Sequence, residues 1–275
     1  MFLTACSSAA AGQTADARTT KPERPLVRLS TTTSVNDTGL LPLLQAAFKA
    51  HTGYELEIMA NGTGAALKLG ESGDADVLLV HAREAEEAFV AAGHGLERLP
   101  FMHNFFVIAG PADDPAGVAG CSQAADAFAA IVTAGQPFVS RGDDSGTHKA
   151  ELKIWSAAAL DPGGDWYLSV GKGMGPSLLM AAEIGAYILT DQATFLATAG
   201  IAPLQILLNA SEDLKNTYAL IAVNGDKHPD INTAGAQAWI DFIFSAEAGC
   251  IISGFGLKEY GNQLFIFDGR GDQGK

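Results

Sequence analysis

Residues 26–50, LVRLSTTTSVNDTGLLPLLQAAFKA, decide the fold class. Leu26 to Leu29 is a short apolar strand candidate. It runs into Ser30-Thr31-Thr32-Thr33-Ser34. Gly39 to Ala50 then carries Leu40, Leu43, Leu44, Ala47 and Phe48 at helical spacing. The hydroxyl run is therefore expected to be a strand-to-helix loop, with Thr38 a candidate N-cap.

The same unit recurs outward from it. Tyr54 to Met59 alternates like a strand, and Asn61-Gly62-Thr63-Gly64 leads into a helical stretch, Ala65 to Leu69. Asp76 to Val80 reads as a buried strand, Arg83 to Ala92 as a helix and Phe105 to Ala109 as a strand. Further on, Ala124 to Thr133 is helical and Phe138 to Ser140 is a brief strand. His148 to Ala159 is helical, and a helix runs from about Pro176 to Leu189. Gln192 to Ala199 reads as a short helix, Leu204 to Leu208 and Tyr218 to Val223 as strands, and Asn232 to Ser245 as the last long helix. Strand, loop and helix in repeated alternation predict an α/β protein with mostly parallel sheets.

Composition narrows the function. The chain has 275 residues, enough for one large domain or two. Its formal charge of −14 opposes binding nucleic acid or an anionic membrane through the whole surface. At 48% apolar residues it is not a disordered chain. No HExxH, GxSxG or GxxxxGK[ST] spacing occurs, so neither a metal ligand set nor an ATP loop is expected. Gly171-Lys172-Gly173-Met174-Gly175 remains a candidate cleft lining. Cys121 and Cys250 are expected as unpaired, largely buried thiols, although pairing between them stays open.

Three loops have the chemistry to hold an anion. Ser30 to Ser34 offers consecutive hydroxyls at a helix start, where free amides also point outward. Asn61 to Gly64 offers glycines that let amides turn toward a ligand. Arg141 with Ser145-Gly146-Thr147 adds a permanent planar charge to hydroxyls and helix-start amides. Each loop is also readable as an ordinary polar turn capping its own backbone.

At the N-terminus, Leu3-Thr4-Ala5-Cys6 resembles the end of a bacterial lipoprotein signal, which makes Cys6 the candidate lipidated residue. Residues 1–25 are then a signal remnant and flexible tether. An unstructured N-terminus with an incidental cysteine is the other reading.

Four stretches carry a wider resemblance: LSTTTSVNDTGLL, ANGTGAALKLGESGDADVLLVHAREAE, FVSRGDDSGTHKAELKIW and WYLSVGKGMGPSLLMAAEIGAYILTD. Together they resemble the tungstate-binding receptors of bacterial ABC importers, which belong with the phosphate- and molybdate-binding periplasmic proteins. The resemblance implies an α/β, two-lobed periplasmic-binding-protein-like fold with a two-strand hinge and a central cleft. Lobe 1 would be residues 26–108 plus 222–270 and lobe 2 residues 109–221, with crossings near Phe106–Gly110 and Leu220–Asn224. It implies oxyanion contacts from Thr32, Thr33, Ser34, Thr63, Arg141, Ser145, Gly146 and Thr147. There would be no catalytic residue, no cofactor and no metal other than the one inside the ligand. The implied partners are tungstate or molybdate and an ABC permease with its ATPase. The receptor would be a monomer outside the cytoplasmic membrane, touching it only through a lipid on Cys6. Arg83 departs from the family's usual APE and would alter charge at the cleft edge. Tungstate has no proton to donate, so Asp143 and Asp144 are expected to turn toward Arg141 or the backbone. A phosphate or molybdate receptor, or an enzyme acting on a small phosphorylated molecule, are the competing readings.

Overall fold

The computed structural model describes residues 22–198 and 203–270; Cys6 and most of the expected tether lie outside them. The chain opens with β1 (Leu26–Thr32), α1 (Thr33–Asn36), α2 (Leu40–Thr52), β2 (Glu55–Asn61), α3 (Thr63–Ser72), β3 (Val77–Val80), α4 (Arg83–Ala91) and the long β4 (Leu99–Pro111). It continues through α5 (Ala124–Thr133), β5 (Phe138–Ser140), α6 (Gly146–Ala157), β6 (Tyr167–Ser169), α7 (Met174–Ile184), β7 (Tyr187–Asp191), α8 (Gln192–Thr198) and β8 (Leu204–Leu208). It closes with β9 (Lys215–Ala222), α9 (Thr233–Ile243), α10 (Ala246–Gly254), α11 (Leu257–Tyr260) and β10 (Ile266–Phe267).

The strands form one sheet in the order β2-β1-β3-β9-β4-β7-β5-β6, with β8 and β10 also on β4. It is mixed rather than mostly parallel. Parallel pairing joins β1 to β2 and β3, and β5 to β6 and β7. Every pair made by β4 or β9 is antiparallel. The sheet has two halves, and β4 belongs to both. Phe105 is the last β4 residue opposite β9, at Lys215, and Phe106 is the first opposite β7, at Asp191. The outward crossing thus falls at Phe105–Phe106, at the edge of the expected stretch. The return crossing does not fall at Leu220–Asn224. Leu220 sits between Leu79 and Leu99, deep in the first half, so all of β9 belongs there.

Each half has its own core. Leu29, Phe48, Trp239 and Ile243 are fully buried in one, with the Phe48 and Trp239 rings edge-to-face at 5.0 Å. Phe128, Phe138, Trp155 and Tyr187 are fully buried in the other, with Phe128 and Trp155 centroids 4.1 Å apart. Such ring pairs add about 0.5–1.5 kcal/mol beyond burial. Asp76 anchors the first half. Its carboxylate accepts from Arg28 N, Nε and Nη2 and from Asn232 N, tying β1 to the segment before α9.

The structure corrects the reading of three segments. The helix expected to reach Leu189 stops at Ile184, because Gly185 adopts φ 65° and ends it, and Tyr187–Asp191 continue as β7. The hydroxyl run is half strand: β1 extends to Thr32. Cys121 is half-buried and Cys250 exposed, so neither is the buried thiol expected, and they are not bonded to each other. Among the described residues no single helix is long and apolar enough to cross a membrane.

Candidate functional site

Parallel pairing brings the carboxyl ends of β1, β2 and β3 to one edge, where Thr32 pairs with Asn61. It does the same for β5, β6 and β7 in the other half. Loops leaving such edges form the usual ligand crevice of an α/β sheet. Here they meet around a cavity of about 370 Å³ whose wall includes Thr33, Ser34, Arg141, Gly173, Met174, Gly175 and Asp191. That volume exceeds one tetrahedral ion and admits a larger phosphorylated molecule as well, so the donor chemistry decides between them. A larger apolar groove of about 450 Å³, lined by Leu43, Cys250, Ile251 and Phe255, touches none of the three loops.

The first loop divides its hydroxyls between structure and site. Ser30 Oγ donates to Ala66 O at 3.1 Å and Thr31 Oγ1 to Leu79 O at 2.8 Å, both in the interior. Thr33 and Ser34 reach the cleft wall, and Thr32 and Ser34 bond within the loop and to His81. Thr32 Oγ1 and Ser34 Oγ are 3.1 Å apart, and Ser34 Oγ is also 3.1 Å from His81 Nε2. Thr33 is exposed at the start of the single-turn α1.

Thr63 opens α3 two residues after Asn61. Its side chain is buried, yet among the described residues Oγ1 has no hydrogen-bond partner. Thr147, in the first turn of α6, is buried too, and its Oγ1 is equally unpartnered. A buried hydroxyl left unpaired costs about 1–3 kcal/mol. Both sit at helix starts, where backbone N–H groups and the helix dipole favour a negative charge. Ser145 is the N-cap of α6, its Oγ accepting from His148 N at 3.3 Å.

Arg141 follows β5 and is 8% exposed. Nε and Nη2 donate to Asp143 Oδ2 at 3.1 and 2.5 Å, and among the described residues no acceptor engages Nη1. Asp143 Oδ1 accepts from Ser145 N at 3.2 Å. Burial pushes the Asp143 carboxyl up, but the bonds from Ser145 and Arg141 outweigh it and hold it below the ordinary value. Asp143 therefore turns toward Arg141 and the backbone, as expected. Asp144 instead faces solvent, 3.6 Å from Lys149 Nζ. Gly142 holds φ 60°, which permits the turn between them.

The structure does not place every expected residue on the cavity wall. Thr33, Ser34 and Arg141 line it, and Thr32 bonds to Ser34. Gly146 reaches it through His81, which lies against Gly146 and bonds Ser34. Thr63, Ser145 and Thr147 are not on that wall; they stand at the helix starts beside it. Arg83 is not on the cavity wall; it is three-quarters exposed and pairs with Glu87 on α4 at 2.6 Å.

Asp191 and His81 are among the wall or near-wall residues that escaped the sequence reading. Asp191 ends β7, and its Oδ1 caps α8 by accepting from Thr194 N at 2.8 Å. Burial pushes its carboxyl up, against the Thr194 bonds and the charge of Arg141. The signal was an Asp between apolar residues and a helix, but the residues before it read as helix. His81 follows β3, and burial pushes its ring down to about 4, opposed by a bond with Asn216. One histidine among six with no motif gave no sequence signal.

An α/β sheet in two halves, with hydroxyl and guanidinium groups of both on one cavity wall at their strand ends, is the architecture of a solute-binding protein. The chain belongs to the periplasmic-binding-protein (PBP) superfamily, whose domain profile matches residues 8–247. Within it, the chain is 42% identical over 268 residues to the tungstate-binding protein TupA of Peptoclostridium acidaminophilum, covering 96% of this chain and 94% of that one. It is 41% identical to the solved TupA of Desulfovibrio alaskensis G20, with a TM-score of 0.80 over 89% of this chain and 99% of that one. The structure of a tungstate ABC transporter protein from Geobacter sulfurreducens is 45% identical, with a TM-score of 0.75 over 84% of this chain and 98% of that one.

Proposed function

We propose that this chain is an extracytoplasmic receptor that captures tungstate, and molybdate as well, and delivers it to an ABC importer. One observation carries the reading: Thr63 Oγ1 and Thr147 Oγ1 are buried and unpartnered at two helix starts, one in each half of the sheet. Helix starts with unpartnered hydroxyls, one in each half, suit a fully deprotonated tetrahedral ion. Arg141 Nη1 supplies the charge, and Asp143 is turned aside. The names of the relatives point the same way. The net charge of −14 does not oppose it, because local donors set affinity and the bulk field mainly alters encounter rate.

Each bond from these donors to a charged oxygen is worth about 1.5–3 kcal/mol, more with water excluded. Closing the halves over the ion then offers the permease a shape the empty protein lacks. An importer's receptor works outside the membrane, where a lipid on Cys6 would hold a monomer near its permease.

Competitive calorimetry with tungstate, molybdate, sulfate and phosphate tests the proposal. Tungstate should bind tightest, with molybdate near it. Phosphate binding tightest would reject it and make Asp191 the acceptor for that ion's proton.

A further inference from the structure

The SGT stretch at Ser145–Thr147 offers hydroxyls and helix-start amides, but Gly146 is not a glycine for conformational reasons. It is the first residue of α6 and lies outside the left-handed region, unlike Gly142 at φ 60°. Its reason is space. A Cβ built on Gly146 would lie 2.6 Å from His81 Cε1 and 3.0 Å from His81 Nε2. His81 follows β3 in one half of the sheet, and α6 follows β5 in the other. The halves therefore meet where an imidazole rests on bare backbone.

The imidazole is held firmly. Asn216 Nδ2 donates to Asn104 Oδ1 at 2.8 Å and to Tyr218 OH at 2.9 Å, so Asn216 Oδ1 is left as an acceptor. His81 Nδ1, 2.8 Å away, must carry the proton, and bare Nε2 accepts from Ser34 Oγ. The ring also lies on Tyr218, centroids 4.8 Å apart. Asn104 and Asn216 face each other on β4 and β9, one residue before the crossing at Phe105–Phe106. The ring thus joins the crossing strands to Ser34 on the cavity wall and takes its hydroxyl proton, which leaves the exposed Thr33 hydroxyl as the donor of that loop. The ring's Cε1 corner lies against Gly146. Near the same interface, Lys153 of α6 and Glu84 of α4 pair at 2.9 Å in solvent, a contact worth little alone.

We propose that His81 is the positioning residue that sets how closely the two halves approach over the anion, with Gly146 as the surface it meets. This rests on the receptor reading above. The stop fixes the distance between Ser34 on one side and the start of α6, with Thr147 and the Arg141 loop, on the other. Donors on both sides then reach a large tetrahedral ion together, whereas a smaller one leaves some of them short. His81 thereby contributes to the choice among tetrahedral anions without touching the ion.

The test is a double-mutant cycle on the full chain, titrated with sodium tungstate and sodium sulfate: unaltered, Gly146→Ala, His81→Ala and both together. Alanine in the first turn of a helix carries no backbone strain. Gly146→Ala should weaken tungstate binding about 100-fold, because the added methyl props the halves apart, while His81→Ala costs about tenfold. In the His81→Ala background the Gly146→Ala change should cost less than about threefold. His81→Ala should also narrow the preference for tungstate over sulfate.

Equal cost of Gly146→Ala in both backgrounds, or none in either, overturns the proposal. If the unaltered chain binds no tungstate, the receptor reading fails separately. The contact itself is then read from hydrogen exchange at the first-turn amides of α6. Exchange should quicken in Gly146→Ala and return toward that of His81→Ala in the double variant; failure to return overturns it. Thermal melts confirm that each variant is folded.

Discussion

Removing the guanidinium of Arg141 is the most direct challenge to the site. On the proposed reading Arg141→Ala would take away at least one charge-assisted bond to the ion from Nη1, worth about 1.5–3 kcal/mol. It also strips Asp143 of the partner 2.5 Å away. Like unit charges about 5 Å apart at an effective dielectric of ~20 repel by about 3 kcal/mol. The Asp143 side chain is 20% exposed, so water screens part of that. The sum after screening corresponds to at least about 100-fold in Kd. Calorimetric titration with tungstate measures it. Because part of the loss comes from the stranded carboxylate, Arg141→Ala with Asp143→Asn should bind about tenfold tighter than Arg141→Ala alone. A change under about threefold for Arg141→Ala would remove Arg141 from the site and refute the electrostatic argument.

Thr63→Val and Thr147→Val separate ligand donors from structural hydroxyls. Each should weaken tungstate binding about tenfold and leave the melting temperature of the empty protein unchanged or higher, since neither Oγ1 has a partner to lose. Lower stability with unchanged affinity would assign them to the core. Glu151 is held by Trp155 Nε1 and Tyr167 OH, and burial pushes it from 4.5 up to about 7 against those bonds. The folded chain therefore keeps a proton there that the unfolded chain has released. The resulting stability is full below pH 4.5 and lost as pH rises through about 7. That is about 3 kcal/mol, so denaturant melts at pH 5 and 8 should differ by up to that amount from this group. Glu151→Gln should flatten its share, and an unaltered slope would count against it. Asp76→Ala takes the acceptor from the one-quarter-exposed Arg28 and from the buried Asn232 amide and should cost about 1–3 kcal/mol in urea unfolding.

The residue pattern alone was enough for the α/β class, for most elements and for the strand-to-helix loops whose chemistry suits an anion. Apolar spacing shows where a helix face packs, as in Leu40, Leu44 and Phe48, all fully buried. Hydroxyl and arginine chemistry at strand-to-helix junctions is local, so Ser34, Thr63 and Arg141 were legible one loop at a time. Segment type failed where local cues conflicted: Tyr187–Asp191 continues an apolar run that a helix also permits, and pairing with Phe106–Ala109 makes it a strand. Asp191 was missed with it.

Only tertiary structure sorted the hydroxyls, consuming Ser30 and Thr31 in the interior and leaving Thr63 and Thr147 unspent. A hydroxyl is a donor in sequence, but whether that donor is spent depends on carbonyls brought near by distant segments. The same holds for His81, whose tautomer is set by Asn216, 135 residues away, and for Gly146, whose missing side chain matters because that ring lies against it. Sequence carries the local geometry and chemistry of each segment. The sheet, by bringing separate strand ends to one place, decides which groups meet.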